Sequence, residues 1–264
     1  DFAYPLPVIV VSRILGVPAE DYSKLKVWSG QLTRALDSGD PEELASGIPA
    51  TEEMMAYMAS LIAARRRAPR DDLISAMLAG SAGDEALTEE ELLANCVFLL
   101  WAGHETTKNL IGNGCLCLIR NPAELARLLD EPGLMTQAVD EFLRLESPIQ
   151  KIGRWTAEDV ELGGRKIPAG QYVVSLFGAA NRDPLQYEDP DRLDVGRGAG
   201  HGVAFGKGIH HCLGYGLAVL EGEVAFAALL ERVRSLELRD PVPKWQANTS
   251  IRGLESLPVA VTRR

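Results

Sequence analysis

The sequence predicts a mainly α-helical fold with a small β region, and three observations carry that prediction. Apolar residues recur at helical spacing through much of the first half. One long apolar run opens on a reciprocal capping pattern at Thr88. Strand-like text is sparse and concentrated in a single stretch that begins at Arg154. No internal repeat or low-complexity tract divides the 264 residues, so one globular domain over residues 1–264 is expected.

The elements follow in chain order. Val8 to Leu15 is apolar and helix-like. Thr51 to Arg67 places Met54, Met55, Met58, Leu61 and Ile62 at helical spacing, as core residues, and Pro69 ends it. Arg65-Arg66-Arg67 is expected to be a solvated last turn that complements the helix dipole. A loop of small and acidic residues, Gly80 to Glu85, comes next. Thr88 and Glu91 then have capping-box spacing, and the nearly unbroken apolar run from Leu92 to Trp101 predicts burial on almost all sides.

Within that helix stands Ala102-Gly103-His104-Glu105-Thr106-Thr107. Glycine costs roughly 0.5–1 kcal/mol relative to alanine inside a helix. A buried carboxylate or hydroxyl costs more unless it is hydrogen-bonded. Local rules broken in a buried helix mark function or strain. Further on, Glu141 and Arg144 sit three apart on one helical face. Arg154 begins strand text that runs through Val160-Glu161-Leu162, a Gly163-Gly164 turn, and Tyr172 to Phe177. Asn181-Arg182-Asp183-Pro184 is a turn, and Ala218 to Val233 is helical.

Composition excludes several functions. A chain that is 46% hydrophobic and 24% charged is an ordinary globular protein, and its net charge of -10 gives no basic footprint for nucleic acid or an anionic membrane. Cys96, Cys115, Cys117 and Cys212 form no Cys-x-x-Cys pair, a usage that suits a reducing cytoplasm. No segment approaches the ~20 apolar residues that cross a bilayer.

The most informative stretch is Phe205-Gly206-Lys207-Gly208-Ile209-His210-His211-Cys212-Leu213-Gly214. Its glycines suit a tight turn or close approach to a bulky ligand. Cys212 falls just before a helix, where amide N–H groups and the positive dipole end favour thiolate over thiol. This order resembles the haem-ligand loop of the cytochrome P-450 superfamily, Phe-Gly-x-Gly-x-His-x-Cys-x-Gly, at every fixed position. The resemblance implies that Cys212 is the axial metal ligand of heme b (iron protoporphyrin IX), that Phe205 packs against its sulfur within the turn made by Gly206 and Gly208, and that His210 reaches a haem propionate. Lys207 and His211 occupy variable positions.

Two further segments resemble the same family. Ala102-Gly103-His104-Glu105-Thr106-Thr107 is similar to its oxygen-binding groove, where a locally opened helix lets a threonine hydroxyl and a neighbouring acid relay protons. This implies that Thr106 is the relay and Glu105 its acidic partner, with Ala102 and Gly103 lining the groove. A mildly bent structural helix with Thr106 bonded back to the Ala102 carbonyl is the alternative. Glu141-Phe142-Leu143-Arg144 is similar to the family's Glu-x-x-Arg helix, with Arg192 completing a buried structural triad. Arg154 matches an arginine that pairs with a haem propionate. His201 lies one residue earlier than the histidine often found before the loop phenylalanine.

The resemblance implies the mainly α cytochrome P-450 fold of a bacterial soluble member. Asp1-Phe2-Ala3-Tyr4-Pro5-Leu6-Pro7 runs directly into helical text that lies well inside the family's proteins, so an N-terminally truncated chain is expected. The implied activity is haem-thiolate monooxygenation of a small organic substrate, lipophilic or a secondary metabolite. Electrons would come from a ferredoxin-type redox partner and one oxygen atom from dioxygen, with no nucleic-acid or membrane partner. The rival is a truncated, non-catalytic partner or scaffold protein with weak haem binding or none.

Overall fold

The computed structural model describes residues 2–35, 41–80, 87–198 and 200–264. Most of the expected Gly80 to Glu85 loop lies outside them. The chain forms two compact units, residues 1–109 and 110–264.

The first unit holds α1 (Pro5–Leu15), α2 (Tyr22–Ala35), α3 (Pro41–Arg67), α4 (Leu73–Gly80) and most of α5 (Glu89–Arg120). Pro5 opens α1, where its missing N–H costs nothing, and Gly16 closes it in the left-handed conformation at φ 83°. The core is built on Leu15, Leu25, Met54, Met58, Ile74 and Leu100, all fully buried, whereas Met55 faces outward. Helix α3 starts ten residues before the expected Thr51 and carries Pro49 in its interior. Burial of Met54 and Met58, at roughly 1.5–3 kcal/mol per apolar side chain, outweighs that local disruption.

Arg65 is buried, pairs with Asp72 and donates to the Gly16 carbonyl. It therefore ties the end of α3 to the end of α1 instead of solvating a last turn. Helix α5 does open on the expected box: Thr88 N–H donates to Glu91 Oε2 at 2.8 Å, and Glu91 N–H to Thr88 Oγ1 at 3.2 Å. Its burial, however, is one-sided, because Leu92, Cys96, Val97 and Leu100 face the core while Phe98 is exposed.

The second unit continues α5 and adds α6 (Pro122–Asp130), α7 (Met135–Leu145), β1 (Lys151–Trp155), β2 (Val160–Leu162), β3 (Arg165–Ile167) and β4 (Tyr172–Leu176). It ends with α8 (Phe177–Ala180), α9 (Tyr215–Arg232), β5 (Val233–Leu238) and β6 (Val259–Arg263). Among the described residues the strands make three antiparallel two-stranded sheets, β1-β4, β2-β3 and β5-β6. Gly163 and Gly164 both take positive φ, 56° and 75°, as a tight hairpin between β2 and β3 requires. Helices α7 and α9 meet through Phe142 and Phe226, whose ring centres are 4.9 Å apart. A side chain at Gly114 of α5 would strike both rings.

Arg144 grips Glu141 bidentately, with Nε and Nη2 at 2.7 and 2.8 Å. The second guanidinium on this carboxylate belongs to Arg197, with Nε 3.1 Å from Glu141 Oε1. It does not belong to Arg192. The Arg192 side chain is 61% exposed among Asp189 and Asp194, and only its carbonyl accepts from Arg144 and Arg197. Spacing could not separate the two arginines, because the loop after Pro190 folds back and brings the later one inward.

Candidate functional site

The cysteine loop is a backbone-closed turn. Cys212 N–H donates to the Phe205 carbonyl at 2.9 Å, Gly206 N–H to Val203 at 2.9 Å, and His211 N–H to Gly208 at 3.0 Å. Gly206 and Gly208 lie at φ 70° and 72°, where an L side chain costs roughly 1–2 kcal/mol. Gly214 has ordinary angles and stands in open space. Helix α9 begins at Tyr215, three residues earlier than expected, so Cys212 sits immediately before its first turn.

The Cys212 side chain is exposed. Protein packed around the sulfur nonetheless pushes the thiol up, against the opposing pull of the Gly214 backbone N–H. One amide supplies the thiolate-favouring effect, and desolvation outweighs it. On either side, Ile209 is 98% and Leu213 90% exposed.

Around Phe205 the structure places residues that the motif did not single out. Its ring centre lies 4.9 Å from that of His201, 5.7 Å from Tyr215 and 6.4 Å from His211. His201 Nδ1 is 3.2 Å from Asp140 Oδ1, which ties this cluster to α7. His210 and Lys207 are exposed. Arg154, on β1, donates only to the neighbouring Gly153 carbonyl, at 2.8 Å, and among the described residues no hydrogen bond or ion pair joins it to the cysteine loop.

Ala102, Gly103, Glu105 and Thr106 belong to the first unit. Helix α5 is continuous through them, so the opened segment implied by the resemblance is not seen. Thr106 Oγ1 donates to the Ala102 carbonyl at 2.9 Å, the hydrogen bond of the alternative reading. Gly103 is required by packing, since a Cβ there would lie 2.6 Å from Val11 Cγ2. Glu105 is 3% exposed and ion-paired with Lys108. His104 is fully buried, with Nδ1 2.7 Å from the Leu100 carbonyl. Sequence reasoning passed over Lys108, although its i,i+3 spacing to Glu105 is the signal for such a pair.

The Cytochrome P450 family profile matches residues 40–255. The chain belongs to the cytochrome P450 family. It is 43% identical over 260 residues to the biotin biosynthesis cytochrome P450 of Bacillus subtilis (strain 168), covering 98% of this chain and 66% of that protein. It is 42% identical over 269 residues to the vitamin D(3) 25-hydroxylase of Pseudonocardia autotrophica, covering 100% of this chain and 65% of the relative. The crystal structure of P450BioI in complex with an acyl carrier protein ligated to hexadec-9Z-enoic acid superposes with a TM-score of 0.94 at 42% identity, over 99% of this chain and 68% of that one. The chain thus spans about two thirds of the length of these P450 relatives.

Cytochromes P450 hold haem iron through a cysteine thiolate. The residues present fit such a group. A surface thiol at the start of α9 stands between two apolar side chains almost wholly in water, which a flat apolar macrocycle would cover.

Proposed function

We propose that this chain, as one haem-thiolate domain over residues 1–264, is a cytoplasmic cytochrome P450 monooxygenase. It inserts one atom of dioxygen into a small lipophilic or secondary-metabolite substrate. The observation that carries the reading is the backbone-closed turn presenting Cys212 before α9. Support for a lipophilic substrate comes from relatives named for vitamin D(3) hydroxylation and biotin biosynthesis, and from the similar P450BioI structure solved with a fatty acyl carrier protein.

Cys212 Sγ would ligate the iron of heme b, with Gly206 and Gly208 fixing the turn. When bound, the haem-thiolate pair pushes electron density toward dioxygen and favours O–O cleavage. The Gly214 N–H tempers the sulfur's charge, and Phe205 is held among His201, His211 and Tyr215. His210 and Arg154 would meet the propionates, since both are exposed and the Arg154 guanidinium donates only to the neighbouring Gly153 carbonyl. Ala102 and Gly103 would line the oxygen-binding groove, with Gly103 packed against Val11. Thr106 Oγ1 holds its proton toward the Ala102 carbonyl, and Glu105 supplies the acid–base group beside it. Electrons come singly from a ferredoxin-type partner.

The test is hemin titration of the purified chain, followed by candidate lipophilic compounds with an electron-donor system. One haem per chain, with product that requires both the donor and dioxygen, is the expected result. A folded chain that takes up no haem would leave it a non-catalytic relative of the family.

A further inference from the structure

Glu105 is surrounded by three groups that could exchange or balance its charge. Lys108 lies on the same helix and pairs with it directly. His104 precedes it, and Tyr4, at the start of α1, acts on it electrostatically. His104 offers no charge, because burial is the main cause lowering its pKa, and its Nε2 is buried without a partner. Tyr4 stays protonated, its pKa pushed up to about 12 by burial and then by the charge of Glu105; its hydroxyl is buried and unpartnered. Lys26 lies over the Tyr4 ring, 5.2 Å from its centre, rather than on Glu105.

Lys108 is the one charged group among the described residues that both contacts Glu105 and reaches water. Its side chain is 19% exposed, against 4% for the Glu105 side chain. A carboxylate taken out of water needs a paired cation, or it takes up a proton and becomes neutral. The pair therefore bridges solvent and the buried acid next to Thr106.

We propose that Lys108 is a positioning residue for the proton path through Glu105 and Thr106. It pairs Glu105 as a carboxylate and orients it so that the carboxylate takes a proton from water and passes it inward. Each transfer breaks one O–H bond as another forms, and no electron moves. The inference rests on the monooxygenase reading above, in which Glu105 and Thr106 form the relay.

Two variants test it, Lys108→Met, which keeps the aliphatic stem, and Lys108→Arg, which keeps the charge. Infrared spectroscopy of the full haem-free chain at neutral pH is expected to show a new protonated-carboxyl band in Lys108→Met. That band should be absent from the parent and Lys108→Arg and lost again when Glu105→Gln is added. A Lys108→Met spectrum identical to the parent overturns the proposal. In the hemin-reconstituted protein, the fraction of electrons recovered as hydrogen peroxide should rise by on the order of tenfold in Lys108→Met and stay near the parent in Lys108→Arg. An unchanged fraction overturns the relay role. The infrared arm needs no haem, so a parent that fails to give a thiolate-haem spectrum contradicts the monooxygenase reading and not the ion-pair assignment.

Discussion

Arg197 Nε lies 3.1 Å from Glu141 Oε1, on a carboxylate that Arg144 already holds with two nitrogens. Three charged groups thus share one buried site in the second unit, and Arg144 goes on to bind the carbonyls of Asn181 and Pro190. The two guanidinium groups fix the loop after Asp189 against α7.

This arrangement separates two arginines that sequence alone could not. Arg197→Ala should destabilise the chain by about 2–3 kcal/mol, because it strips a charged hydrogen-bond partner from a buried carboxylate. Arg192→Ala should change stability by under about 0.5 kcal/mol, since its side chain is largely exposed. Urea denaturation of both variants measures the difference, and equal losses would return Arg192 to the triad.

Glu221 gives a pH signature. It is 4% exposed, neither carboxyl oxygen has a partner, and burial pushes its pKa up to about 7. The unfolded value is about 4.3. With the folded pKa above the unfolded one, the folded state binds the proton more tightly, and stability falls as pH rises from about 4.3 through 7. Glu221→Gln removes that dependence. Denaturation at a series of pH values should find variant and parent alike near pH 4, and the variant more stable by on the order of 3 kcal/mol at pH 8. A pH-independent difference would contradict a neutral buried Glu221.

Legibility followed the range of the forces involved. The capping box at Thr88 and Glu91, the Gly163-Gly164 hairpin and the left-handed Gly206 and Gly208 are set by neighbours a few residues away, so the sequence displays them. Arg65, Arg197 and the pairing of His201 with Asp140 depend on segments 7 to 61 residues distant, and local pattern was silent about them. Arg65 misled because three successive arginines look solvated until Asp72 and the Gly16 carbonyl arrive beside the first. Phe98 misled because an unbroken apolar run hides which face is turned outward. At the candidate site, the turn at Gly206 and Gly208 and the place of Cys212 before a helix were legible, whereas Gly214 needs no special conformation and Lys108 stood in view and was passed over.

Thr106 offers a functional prediction. Its hydroxyl donates to Ala102 within an unbroken helix, so Thr106→Ala should leave the fold intact. In the reconstituted protein the same change should divert electrons to hydrogen peroxide, with product per electron falling roughly tenfold or more. Thr106→Ser should retain most of the coupling. Product per electron at the parent level in Thr106→Ala would remove Thr106 from the relay.

The most direct measurement is the absorption spectrum of the reduced, carbon-monoxide-bound protein, taken for the parent and for Cys212→Ser after loading with hemin. The parent should give the band of a thiolate-ligated haem, and Cys212→Ser should lose it while its circular dichroism stays unchanged. The same band in both proteins, or its absence from a correctly folded, hemin-loaded parent, would contradict Cys212 as the ligand on which the account rests.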